Sequence, residues 1–148
     1  DDIFWAKYNS SGELVWADKN YSINPGNYNA YWYDDDRGYS IVVDESGNVY
    51  STGSFWGWGM NGVNHVGSNG SFDIFWRKHN SSGERVWTKS AGGQKNSGQS
   101  SANDYGYSIA IDTSGNVYVT GTFYYVADFD PTGTLNLDKV AASQISSE

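Results

Sequence analysis

The sequence predicts an all-β protein made of two repeat units of four short antiparallel strands, cut in permuted phase. Three observations lead there. Asp2-Ile3-Phe4-Trp5-Ala6-Lys7-Tyr8-Asn9-Ser10-Ser11-Gly12-Glu13-Leu14-Val15-Trp16 returns 71 residues later as the stretch Asp73–Trp87, with 12 of 15 positions identical. A second block, Gly38–Phe55, returns 68 residues later as Gly106–Phe123, with 13 of 18 identical. Two phrases recurring in one order mark a repeat architecture, in which each unit buries its faces against its neighbours. Finally, apolar residues alternate with period two, and Leu occurs only at Leu14, Leu135 and Leu137, so no helical stripe can be built on it.

The first element follows from that alternation. Phe4, Ala6 and Tyr8 share one side of a strand, and Ile3, Trp5 and Lys7 the other. Asn9-Ser10-Ser11-Gly12 punctuates the run as a tight hairpin turn, and Leu14 and Trp16 alternate on the way back. The second block repeats the logic. Tyr39, Ile41 and Val43 are expected on one face, Asp44-Glu45-Ser46-Gly47-Asn48 turns the chain, and 49–53 returns. A full unit is the second-block hairpin followed by the first-block hairpin. The expected divisions are 1–37, a half unit with its connector; 38–87, a complete four-stranded unit; 88–105, a flexible Gly/Ser connector; and 106–148, a second half unit with a tail.

Composition narrows the function. Among 148 residues, 17% are aromatic and 18 are Gly, so the apolar area comes from Trp, Tyr, Phe, Val and Ile, which suit a pleated sheet. Nine basic against seventeen acidic residues give a charge of −8, which argues against nucleic acid or an anionic membrane surface as partner. Without Cys there is no disulfide framework and no thiolate metal site. No apolar run is long enough to insert into a bilayer as a helix. The chain starts at Asp1, directly before a repeat phrase, and is expected to be a processed product or a segment of something longer.

The phrases Gly-Tyr-Ser-Ile-x-x-Asp-x-Ser-Gly-Asn-Val-Tyr-x-Thr-Gly-x-Phe and Asp-Ile-Phe-x-x-Lys-x-Asn-x-x-Gly-x-x-Val-Trp resemble the SBBP-type β-propeller repeat of bacteria and archaea. Ala127-Asp128-Phe129-Asp130-Pro131 is similar to a phrase that family places after its second strand, although 57–70 has no counterpart of it. The resemblance implies four-stranded antiparallel β-propeller-type blades around an axis, usually in extracellular or cell-surface proteins, and supplies no catalytic residues.

Phase then becomes the question. The chain opens with the last two strands of one blade, runs through a complete blade, and closes with the first two strands of another. Thr134 to Glu148 is the stretch that would normally precede Asp-Ile-Phe, and the beginning of the chain supplies Asp2-Ile3-Phe4. Half-blades expose strand edges that template pairing with another chain, and two blades cannot close a propeller of typically four to eight. The expectation is a non-catalytic structural protein whose copies join head to tail, as a ring or a filament, by completing shared blades. Ile3, Phe4, Trp5 and Trp16 on one half and Ile109, Ile111, Val117 and Tyr118 on the other are the expected assembly residues. The alternatives are a carbohydrate-binding propeller module and an internal segment of a longer propeller protein.

The remaining candidates are fewer. Trp32, Trp56 and Trp58, with Tyr124 and Tyr125, fall in or beside connectors, where flat rings can stack on sugar faces or anchor a subunit. Asp34 with Asp36, and Asp128 with Asp130, are the carboxylate pairs that would hold calcium, the one cofactor considered. The turns Asp44–Asn48 and Asp112–Asn116 lack the ligand alternation of a calcium loop and read as turn chemistry. Asn9, Asn20, Asn69 and Asn80 begin N-glycosylation sequons. His65 and His79 are the only imidazoles, and His79 stands where the first repeat has Tyr8, which argues against an acid–base role. No nucleophile, phosphate-loop or metalloprotease motif is present, so no enzyme activity is expected. The expected partners are copies of the chain itself and surface glycans.

Overall fold

The computed structural model describes residues 1–20, 35–56, 72–92, 103–124, 126–129 and 139–141. All of its regular elements are strands: β1 (Phe4–Tyr8), β2 (Leu14–Lys19), β3 (Arg37–Val43), β4 (Val49–Trp56), β5 (Phe72–His79), β6 (Arg85–Ala91), β7 (Tyr105–Ile111), β8 (Val117–Thr122), β9 (Val126–Asp128) and β10 (Lys139–Ala141). Strands β3-β4-β5-β6 form one antiparallel four-stranded blade, and β1-β2 and β7-β8 are two-stranded half-blades. The blade is longer than the repeat phrases because β6 keeps pairing with β5 through Phe75↔Ser90 and Ile74↔Ala91. It therefore runs from Arg37 to Ala91 rather than from 38 to 87. A short hairpin, β9-β10, was not legible in the tail.

The hairpin turns explain the duplicated phrases. In the first, Asn9 Oδ1 accepts the backbone N–H groups of Ser11 and Glu13, and Gly12 N–H donates to the Asn9 carbonyl. The chain then leaves through Gly12 at φ 81°, and the register shifts between Lys7 and Tyr8. Asn80 and Gly83 build the same turn between β5 and β6. In the β7–β8 turn an Asp takes the place of Asn, with Asp112 Oδ1 accepting from Ser114 and Asn116. Asn or Asp fastening its own turn, with a left-handed Gly closing it, fixes hairpin register without tertiary help.

Because side chains alternate, the blade has two distinct faces. Ser51 pairs with Arg77 and Gly53 with Phe75, which puts these four on one face; Thr52 with Trp76 and Ser54 with Ile74 lie on the other. On the first face β1-β2 packs over β4 and β5 and leaves part of β3 open, and β7-β8 packs on the second. Ile3, Trp5, Phe55 and Phe75 make the buried apolar cluster on the first face, with Trp16 packed against it. On the second, a Cβ at Gly106 would stand 2.4 Å from Thr52 Oγ1 and 2.8 Å from Ile74 Cγ2, so this position requires glycine for β7 to lie so close. The half-blades thus sit on opposite sides of the complete blade, as successive blades do.

A bulge overturns one expected face. The β3–β4 register shifts between Gly38 and Ser40, and Tyr39 turns to meet Tyr107 of β7 edge-on, with ring centroids 5.7 Å apart. Ile41 and Val43 stay on the other face, paired with Ser51 and Val49.

Candidate assembly interface

Equivalent residues in the complete blade and the half-blades have very different surroundings. Phe75 of β5 is fully buried, but its repeat partner Phe4 of β1 is 75% exposed. Tyr50 of β4 is 3% exposed, and its partner Tyr118 of β8 is 58% exposed. The cause is visible in the blade. Tyr50 is covered by Trp87, edge-on at 6.1 Å, and by Lys78 Nζ at 5.0 Å from the ring centroid. Both covering residues belong to the outer strands β5 and β6, which have no counterpart beside β7-β8 among the described residues. Ile41 of β3 is 58% exposed and its partner Ile109 of β7 only 6%, because Ile109 lies against the blade behind it.

The assembly residues expected from sequence therefore divide. Ile3, Trp5 and Ile109 are buried within this chain, and Trp16 packs there as well, so these four are corrected from junction residues to internal packing. Trp5 donates its indole N–H to Ser51 Oγ at 2.8 Å. Trp16 Nε1 donates to the Ser81 carbonyl at 3.2 Å. Phe4 and Tyr118 remain exposed, Ile111 and Val117 half-buried.

A polar seam joins β2 to the outer edge of the blade. Arg85 grips Asp18 with Nε on Oδ2 and Nη2 on Oδ1, both at 2.6 Å, and His79 Nε2 lies 3.0 Å from Oδ2. Burial pushes the Asp18 carboxyl up, but the hydrogen bonds from Arg85 and His79 and the Arg85 charge outweigh it and hold the group at about 2. His79 is fully buried between Trp5 and Trp16, and burial pulls its imidazole below the usual value against the pull of Asp18. Arg77 is fully buried, stacked at 4.8 Å over Trp5, and donates to Thr88 Oγ1 at 2.8 Å and Asn20 Oδ1 at 3.4 Å. Desolvation brings its guanidinium down to about 10.

That seam corrects two expectations. Asn20 is buried, and its amide donates to Asp36 Oδ2 at 2.5 Å, which leaves no room for a glycan in this fold. Asp36 is itself buried and turned toward Asn20 rather than toward a solvent-borne cation. Asn9 and Asn80 sit at hairpin tips, with Nδ2 donating to Glu13 and Glu84 at 2.7 Å. Asp34, Asp130 and Asn69 lie outside the described residues, as does the side chain of Asp128. Among the described residues no three His, Asp or Glu side chains converge as a metal set.

The aromatic ligand candidates do not form a platform among the described residues. Trp56 is the last residue of β4, paired with Phe72 and packed on its ring at 5.8 Å, so it is a strand residue rather than part of a connector. Tyr124, its repeat partner, is exposed, and its backbone N–H is held by Asp104 at 2.7 Å. Trp32, Trp58 and Tyr125 lie outside the described residues.

The order half-blade, blade, half-blade, with each face capped by the next unit, is that of a propeller. The SBBP beta-propeller repeat matches residues 29–57 and 86–122. Together the two matches take in 66 of the 148 residues. The two SBBP segments take in β3-β4 and β7-β8, the inner hairpins, and the second also spans most of β6. No curated protein matches the chain.

Proposed function

We propose that this chain is a non-catalytic structural unit whose copies join head to tail, β8 of one pairing antiparallel with β1 of the next to complete a four-stranded blade. The observation that carries this reading is the contrast of Phe75 with Phe4 and of Tyr50 with Tyr118, buried where the blade is complete and bare where it is halved. Strand addition supplies what each half lacks among the described residues: a partner for its hydrogen-bonding edge and a covered aromatic face. The β4–β5 ladder gives the register. Tyr50↔Lys78 and Gly53↔Phe75 translate, by the two repeat shifts, into Tyr118 opposite Lys7 and Gly121 opposite Phe4 of the next copy. Completion also sets β7-β8 of the preceding copy over Ile41 and Val43, two exposed apolar positions of β3. The resemblance to surface-protein repeats supports an extracellular or cell-surface setting.

The Cys-free sequence makes the test clean. Lys7→Cys with Tyr118→Cys places two thiols directly across the proposed junction, where opposed Cβ atoms on paired strands come within disulfide reach. Oxidation should give a reducible ladder of dimers and higher species on denaturing gels. The frame-shifted pair Lys7→Cys with Val119→Cys should not, since neighbouring residues point to opposite faces. Equal ladders from both pairs, or none from either, would refute strand completion.

A further inference from the structure

We infer that Trp76, Trp87 and Lys89 form a socket that takes Tyr8 of the next copy, a plug-and-socket contact resting on the strand-completion reading. An open groove of about 400 Å³ is lined by Trp76, Trp87, Lys89 and Val117. Three of these belong to the outer strands of the complete blade, and Val117 begins β8, whose outer edge has no strand partner among the described residues. The chain already holds a filled version of the same groove. Trp5 and Trp16, the repeat partners of Trp76 and Trp87, enclose His79 at centroid distances of 5.1 and 5.8 Å. Val49, the partner of Val117, pairs with His79 across the ladder. Asp18, the partner of Lys89, meets His79 Nε2 at 3.0 Å. Every wall of the filled groove thus has its counterpart in the open one.

The occupant follows from the same shift. His79 maps onto Tyr8, which is 60% exposed on β1 and so is available to a second copy. The chemistry changes on both sides together. In the filled groove a ring N–H faces a carboxylate; in the open one a phenol faces the Lys89 ammonium, and the phenol oxygen accepts from Nζ. Tyr8 fits an apolar wall with one polar end, the kind of anchor that carries interface energy. The turn behind the plug fits too. Trp16 lies over Gly83, where a Cβ would come within 2.6 Å of its ring, and over Gly12 there is nothing within 4 Å. The incoming Gly12 passes under Trp87 in the same way, bringing the Ser10 carbonyl to the Trp87 indole N–H as Ser81 meets Trp16.

The test uses the full chain and sedimentation velocity. Tyr8→Ala should weaken association about 30-fold, the effect of losing one interface anchor, with unchanged thermal unfolding because the ring is exposed in the free chain. Tyr8→Phe and Lys89→Ala should each cost about tenfold through the charged hydrogen bond, and their combination no more than either alone. If Tyr8→Ala associates like the parent while the Lys7–Tyr118 ladder still forms, the socket is wrong and strand completion stands. If the ladder is lost from the otherwise unaltered chain, the reading beneath it falls as well. A Lys7–Tyr118 disulfide closing within single copies would overturn the second copy as occupant.

Discussion

The Trp16 indole lies nearly parallel to the His79 imidazole, ring centroids 5.8 Å apart and planes 27° apart, so a titratable ring is sealed under the first half-blade. Its charged form is penalised there, which ties adhesion of β1-β2 to pH. The folded value lies below the unfolded 6.5, so the unfolded chain binds the proton first. His79 therefore contributes fully above pH 6.5, and that contribution is lost as pH falls below it toward the folded value. Asp18 adds a second step, present above 3.8 and lost as pH falls toward about 2. Melting temperature should fall between pH 7 and 5 in the parent, and the fall should be absent in His79→Gln, whose amide can still donate to Asp18. An identical slope in both would place the acid sensitivity elsewhere.

Hairpins, period and blade order were readable because each turn is fastened locally, by Asn9, Asp44, Asn80 or Asp112 to its own backbone. The direction in which a strand residue faces was less readable. Phe4 and Trp5 are adjacent and both aromatic, and only the placement of β1 on the blade shows that Trp5 is internal and Phe4 bare. The seam of Asp18, Asn20, Asp36, Arg77 and Arg85 was missed outright. Its members are far apart in sequence and, apart from Asp36, whose partner is Asp104, they differ between the two repeats, with Ala6 where Arg77 stands and Leu14 where Arg85 stands. Polar residues in a β-rich sequence ordinarily signal solvent, and their burial follows from tertiary pairing alone.

The adjacent pair on β1 gives a sharp contrast between folding and assembly. Trp5→Ala removes a buried ring and its bond to Ser51 Oγ, and should destabilise the chain by about 3–5 kcal/mol in urea unfolding. Phe4→Ala alters an exposed ring and should change unfolding by no more than about 0.5 kcal/mol. In association the ranking reverses for equal amounts of folded chain, since Phe4 is to cover Gly121 as Phe75 covers Gly53. Phe4→Ala that associates like the parent would count against the proposed register.

Calcium removal should leave the described structure unchanged. Asp44 and Asp112 are already engaged by Asn48 with Tyr50, and by Asn116 with Tyr118, and those hydrogen bonds, from Asn48 and Asn116 first, hold both carboxyls below their usual range. Asp36 is committed to Asn20. Melting curves with excess chelator and with millimolar calcium should therefore superimpose. A shift of several degrees that survives Asp36→Asn would locate a calcium site among residues such as Asp128 and Asp130.

Salt separates the forces at the junction. β8 reads Val-Tyr-Val-Thr-Gly-Thr and carries no charge, so the proposed ladder with β1 of the next copy would depend on backbone hydrogen bonds and aromatic cover. At the proposed socket Lys89 would be one cation against an uncharged phenol. Exposed ion pairs contribute about 0–1 kcal/mol and weaken over a screening length of about 3 Å in 1 M salt. Here there is little of that kind to lose. The net charge of −8 works the other way, because copies repel one another at low ionic strength and salt screens that repulsion. Apolar burial meanwhile does not weaken in sodium chloride and strengthens in sulfate. Association measured by light scattering should thus hold or tighten from 50 mM to 1 M sodium chloride, and tighten further in ammonium sulfate. Dissociation on raising salt would show that ion pairs across the junction, rather than strand pairing and the Phe4 and Tyr8 rings, hold the copies together.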